Sequence, residues 1–204
     1  MILRPRRLLS ALLLGLAACG STAPAGPATG LAYADPPGPG WRLVRDPAST
    51  PTRLVLDLVG PAGLLTRGVG FNLKGGPGVR FAAFEDGLPI RTTGVYQLEA
   101  GGPDPTEPVA LAGGVKPGNL LTVGVFQKSR AHGAKDSGVA LCQIALTLDP
   151  AAPAPLAGQP LGLEVVKAGA IPADIGAETD PALVLDKKLH LLDLSVAVGA
   201  LTAR

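Results

Sequence analysis

The chain has 204 residues, 47% of them apolar and 17% charged, which excludes a solvated disordered polypeptide and leaves room for one domain with a real core. Glycine (28) and proline (21) together form about a quarter of it, but they are interleaved with apolar runs and so punctuate turns. The formal charge is +2; with Arg4, Arg6 and Arg7 set aside as part of a leader, 15 basic residues face 16 acidic ones, so there is no basic face for nucleic acid and no polybasic membrane patch.

Residues 1–18 read as a secretory signal: a basic start, an apolar stretch from Leu8 to Leu16, then small residues. The stretch is shorter than the roughly 20 residues that cross a bilayer core. Leu16-Ala17-Ala18-Cys19 resembles the lipobox of bacterial lipoproteins. The resemblance implies a diacylglyceryl group on the Cys19 thiol, cleavage just before it, and stable attachment by more than one acyl chain. Because Gly20 rather than Asp follows the cysteine, it also implies delivery to the outer membrane of a two-membrane envelope. The alternative is an ordinary cleavable signal with an incidental cysteine. Residues 19–40 are then the lipidated cysteine and a Pro/Gly-rich flexible linker without apolar periodicity, and residues 41–204 are the folded domain.

From Trp41 onward, short apolar runs recur between Gly/Pro/Asp clusters, the pattern of an all-β protein. "RLVLDLV" puts Leu54, Leu56 and Leu58 on one face and Arg53, Val55 and Asp57 on the other. "RGVGFNLK" aligns Val69, Phe71 and Leu73; "VRFAAF" aligns Val79 and Phe81, with Phe84 beyond a bulge; "LLTVGVFQ" aligns Leu121, Val123 and Val125. "LLTVGVFQ" also carries Phe126, which predicts cover on both faces; in "SGVALCQIALTL", Ala140, Cys142, Ile144, Leu146 and Leu148 alternate with Val139, Leu141, Gln143, Ala145 and Thr147, which predicts a central strand. "LGLEVVKA" and a last strand through Leu192, Leu194, Val196 and Val198 complete the set, while Ile171 to Asp186 admits one short helical turn at most. The expected fold is a single jelly-roll or immunoglobulin-like β-sandwich of about nine strands.

The succession "GVGFNLKGGPGVRFAAFEDG", "LLTVGVFQKS", "AKDSG", "VALCQIALTL" resembles a cohesin domain over residues 52–202. Cohesins are nine-stranded jelly-roll sandwiches, akin in fold to certain carbohydrate-binding modules, and the resemblance implies a partner-binding role. The chain carries no D-x-D-x-D-G calcium loop, so a dockerin-type partner would be a separate molecule.

Chemistry-bearing residues are few. With Cys19 lipidated, Cys142 has no disulfide partner and is expected as a small buried hydrophobe. The loop "QKSRAHGAKDSG" gathers Lys128, Ser129, Arg130, His132, Lys135, Asp136 and Ser137. It reads as a solvated hairpin loop, with a weak anion or sugar contact through Lys128, Arg130, His132 and Lys135 as the functional option. Its nominal Ser/His/Asp set lacks the spacing that nucleophilic catalysis needs. Asp174, Glu178 and Asp180 are weak calcium-ligand candidates in "IPADIGAETDP", out of register with any alternating calcium loop. His190 lacks a zinc-type neighbour and reads as a strand-edge residue. "GGPGVR" lies between strands with no helix to receive a phosphate. Trp41 and Tyr96 are the residues available to stack on a sugar, Trp41 alternatively plugging the open end of the sandwich. The expectation is therefore no cofactor and no enzymatic activity, but a membrane-anchored module for an envelope protein or surface polysaccharide. A carbohydrate-binding module, or a hydrolase built where the 127–138 and 174–180 loops meet, is the alternative.

Overall fold

The computed structural model describes residues 25–96, 110–126, 133–173 and 192–204. Among these the chain is all-β, with fourteen strands, no helix and three antiparallel sheets.

The first sheet has the order β2 (Arg42–Arg45), β3 (Leu54–Val59), β10 (Cys142–Leu148), β5 (Val79–Phe81), with β6 (Ile90–Thr92) also paired to β10. The second runs β13 (Leu192–Asp193), β12 (Leu163–Pro172), β4 (Leu65–Gly75), β8 (Leu120–Phe126), β7 (Ala110–Lys116), with β9 (Lys135–Asp136) added to β4. The third is small: β1 (Leu31–Ala34), β14 (Ala200–Ala203), β11 (Pro160–Leu161).

The two larger sheets share one core, and period two explains how. Leu54, Leu56 and Leu58 of β3 and Cys142, Ile144 and Leu146 of β10 form a single buried cluster with Val69, Phe71 and Leu73 of β4 and Leu121, Val123 and Val125 of β8. Each of these alternations is the one expected from sequence. β10 is also central as expected, pairing β3 on one side and β5 and β6 on the other.

Three expectations are corrected. The segment read as linker is not all linker: Leu31–Ala34 is a strand in register with Ala200–Ala203, and Leu31 and Leu201 are buried. Its side chains find their apolar partners some 170 residues away, so no local period announces it. The C-terminal run is not one strand, because Leu192–Asp193 pairs with β12 whereas Ala200–Ala203 turns to β1 and β11. The strand count exceeds nine because short or glycine-rich pieces such as "ALAGGVK" (β7) are held by ladder hydrogen bonds with little β-propensity of their own.

Tyr33 joins the small sheet to the sandwich. Its hydroxyl accepts from the Gly199 amide at 2.6 Å and donates to the Leu43 carbonyl at 2.9 Å. At the end of β3, Ser137 is wholly buried; its hydroxyl donates to the Pro61 carbonyl at 2.8 Å and its carbonyl accepts from the Gly60 amide at 2.6 Å. Asp136 caps the same corner by accepting from the Gly63 and Gly138 amides.

Candidate functional site

Of the residues singled out by sequence, Cys19, Lys128, Ser129, Arg130, His132, Asp174, Glu178, Asp180 and His190 lie outside the described residues. Lys135 sits in β9 opposite Thr66. Trp41 and Tyr96 cannot act as a stacking platform, because both are buried in the core. Trp41 packs beside Gly60 and Ser137 at the end of β3. Tyr96 is bonded through its hydroxyl to Thr66 Oγ1 at 2.6 Å, and burial pushes its pKa up to about 12. Ser137 and Asp136 are likewise committed to their corner, so neither is poised as a nucleophile or an orienting acid. Cys142 is completely buried, as expected, and burial with the nearby Asp57 raises its pKa to about 12.

A polar network that sequence reasoning did not single out crosses the outward face of the first sheet. Asp57 on β3 and Gln143 on β10 are directly opposite in register. The Gln143 side-chain nitrogen donates to Asp57 Oδ1 at 3.0 Å and to Asp46 Oδ2 at 2.7 Å, while Arg91 of β6 donates twice to Gln143 Oε1. Asp57 is only 9% exposed. Burial, opposed by the Gln143 bond and reinforced by the Asp46 carboxyl, raises its pKa to about 6. The available signal was a lone Asp and a lone Gln at matching outward positions of neighbouring apolar strands.

Beside this network Phe84 is held by two arginines, whose guanidinium carbons lie 4.9 Å (Arg53) and 4.7 Å (Arg91) from its ring centroid. The ring and both arginines line a cleft of about 430 Å³. Arg53 also donates to the Ala83 carbonyl at 3.0 Å. These contacts fasten the 82–89 loop over the sheet, so the arrangement reads as construction.

The outward face of the second sheet is different. Val69, Phe71 and Leu73 point inward, so Gly70, Asn72 and Lys74 point outward, and the register carries this across the sheet. Asp193, Gly169, Gly70, Gly124 and Ala112 stand opposite one another on five successive strands. The three central positions are glycines, which gives a floor without side chains about 10 Å long at the usual strand spacing. The next row is polar: Lys167, Asn72 and Thr122. Part of the two rows, Gly70, Gly169, Asp193, Asn72, Thr122 and Lys167, lines a trough of about 230 Å³. Thr122 Oγ1 is buried there without a hydrogen-bond partner among the described residues. A buried hydroxyl left unpaired costs on the order of 1 to 3 kcal/mol, so Thr122 is a local weak point of the sheet.

A cavity of about 620 Å³ lies at one end of the two larger sheets, between the β4–β5 and β7–β8 turns. Lys74, Arg80, Lys116, Val115, Asn119 and Asp149 line it. Asn119 adopts φ 55° and donates to the Gly75 and Val79 carbonyls, locking the two turns together.

No protein-family model matches the chain, and comparison with curated proteins returns no match. Among the described residues no three of His, Cys, Asp and Glu are grouped as metal ligands.

Proposed function

We propose that the chain is a lipoprotein held to the outer membrane through acylated Cys19, whose cohesin-like jelly-roll sandwich is a non-enzymatic module binding an extended, hydroxyl-rich envelope polymer. The anchor reading rests on the Leu16–Cys19 stretch with its basic and apolar lead, and the finer fold reading on two antiparallel sheets that share one core. The observation that carries the binding role is the trough of the second sheet. Its glycine floor crosses successive strands, its wall offers Lys167, Asn72 and Thr122, and Asp193 closes one end. The Asn72 amide, the Lys167 ammonium and the Asp193 carboxylate suit the alternating donors and acceptors of a glycan chain.

The test is titration of purified envelope polysaccharide into the unacylated chain, with Gly70→Ala as the probe variant. A Cβ at Gly70 meets only the Val123 carbonyl oxygen, at a tight 3.3 Å that a shift of a few tenths of an ångström relieves, so alanine raises the floor and the melting temperature checks that the strand is kept. Saturable binding by the wild type, weakened about tenfold or more in Gly70→Ala at unchanged melting temperature, supports the reading. Equal binding by both chains removes the trough as the site, and no binding to any envelope glycan removes the polymer as the ligand.

A further inference from the structure

We infer that one end of the domain, formed by residues 25–27 and 151–157 and bordered by the Lys74–Arg80–Lys116 cavity, rests on the phospholipid surface that holds the anchor. The inference builds on the proposed acylation of Cys19.

The chain enters the described structure at this end. Pro27 bridges Leu156, the Ala28 amide donates to the Pro155 carbonyl and the Ala157 amide to the Gly26 carbonyl. Only seven residues separate Cys19 from Pro27, a reach of at most about 29 Å even when fully extended. An anchor at Cys19 therefore keeps this end, rather than any other, near the bilayer.

The composition of the end fits that location. No Asp, Glu, Lys or Arg occurs between Arg7 and Asp35, or between Asp149 and Glu164. The two uncharged segments meet here, and Leu156 is 56% exposed. An exposed leucine among Ala and Pro gains from entering the headgroup boundary, and the cation beside this end, Arg204, whose backbone is bonded to Thr29 and Gly30, can pair with lipid phosphate at the rim.

The cations stand beside it. The 150–161 excursion leaves from and returns to the β4–β5 turn, because the Asp149 amide donates to the Gly78 carbonyl and the Gly76 amide to the Gly162 carbonyl. That turn belongs to the cavity lined by Lys74, Arg80 and Lys116, with the apolar Val115 also exposed there. Asp149 lies in the same lining and Glu164 is opposite Lys74 in register, so the excess positive charge is small. It is placed to meet lipid phosphates at the rim while Leu156 enters between headgroups.

The opposite end supplies the control. Val139 is 47% exposed just before the start of β10, while Asp149 follows its end, so the strand's whole length separates the two positions. Leu156→Cys and Val139→Cys are each labelled with an environment-sensitive fluorophore in the full acylated protein, Cys142 being buried and Cys19 blocked by lipid. The proteins are reconstituted in vesicles of phosphatidylcholine and phosphatidylglycerol carrying a headgroup-proximal quencher. The expected result is quenching at least about threefold stronger at 156 than at 139, reduced when Lys74, Arg80 and Lys116 are all changed to Gln. Equal quenching at the two positions, with acyl chains on the Cys19 peptide demonstrated by mass, overturns the seating alone. A Cys19 peptide without acyl chains overturns the anchor and the seating with it.

Discussion

Asp46 and Asp57 are joined by a single amide: the Gln143 side-chain nitrogen lies 2.7 Å from Asp46 Oδ2 and 3.0 Å from Asp57 Oδ1. Two carboxyls so close, one of them buried, are more stable with a shared proton than with two negative charges. Asp57 accordingly has a pKa of about 6 in the folded chain, against an ordinary value near 4 when unfolded.

The sign of the resulting pH dependence follows from proton binding. The folded state binds this proton more tightly, so the contribution is fully present below about pH 4 and is lost as pH rises to about 6. Asp57→Asn keeps a neutral side chain that accepts from Gln143 and donates to Asp46. Its stability relative to wild type is expected to increase between pH 4 and 6 and then level off, by no more than about 3 kcal/mol. Urea unfolding of both chains at one-unit pH intervals measures it; a difference that is flat with pH would show that Asp57 titrates normally.

Cys142 is a packing residue. A thiol with no exposure and a pKa of about 12 does not react with a disulfide reagent until the domain opens. In a Cys19→Ala background, native protein is expected to show labelling of Cys142 only at the rate of global unfolding, with one equivalent reacting in denaturant. Cys142→Ser places a hydroxyl on an apolar face between β3 and β6 and costs about 1 to 3 kcal/mol. Rapid labelling in the absence of denaturant would contradict both statements.

Tyr96 and Thr66 satisfy each other in a region with no water-facing alternative, both being fully buried. Tyr96→Phe leaves the threonine hydroxyl unpaired and is expected to cost about 1 to 3 kcal/mol. Adding Thr66→Val removes the orphaned group and should recover part of that loss, so the double-mutant cycle reads out a coupling energy. Strictly additive single effects would show that the bond contributes nothing of its own.

The larger sheets were legible in the sequence because their strands alternate locally: Leu54, Leu56 and Leu58 on β3 and Val69, Phe71 and Leu73 on β4 declare a buried face over five residues each. Cys142 was legible for the same reason. What was not legible depends on distant partners. Leu31 looks like an isolated leucine among small residues until β14 is beside it. The glycine row Gly169–Gly70–Gly124 exists only once the register of three strands is fixed, and no single strand carries it as a pattern. Trp41 was open to two readings, a plug or a ligand platform, and Tyr96 was read as a stacking residue; an aromatic beside turn residues can serve either way, and only burial decides.

The N-terminal strand gives the last prediction. Gly199 donates to the Tyr33 hydroxyl at 2.6 Å, and a Cβ on Gly199 would overlap the Ala34 carbonyl oxygen and crowd the Tyr33 ring. Gly199→Ala is therefore expected to push β1 off β14 and to break the bond from Tyr33 to the Leu43 carbonyl, at a cost of at least about 2 kcal/mol. The loss should be local first, since β3 and β10 have ladder partners on both sides as well as the shared core, whereas β1 is an edge strand that pairs with β14 alone and reaches that core through Leu31. Hydrogen exchange should show amides of residues 31–34 and 200–203 losing protection while those of β3 and β10 retain it. Tyr33→Phe, which removes both hydrogen bonds but creates no clash, should give a weaker version of the same pattern. Loss of protection in β3 and β10 before β1 would mean that the small sheet is a founding part of the core, and unchanged exchange in Gly199→Ala would mean that β1 does not lie where the register places it.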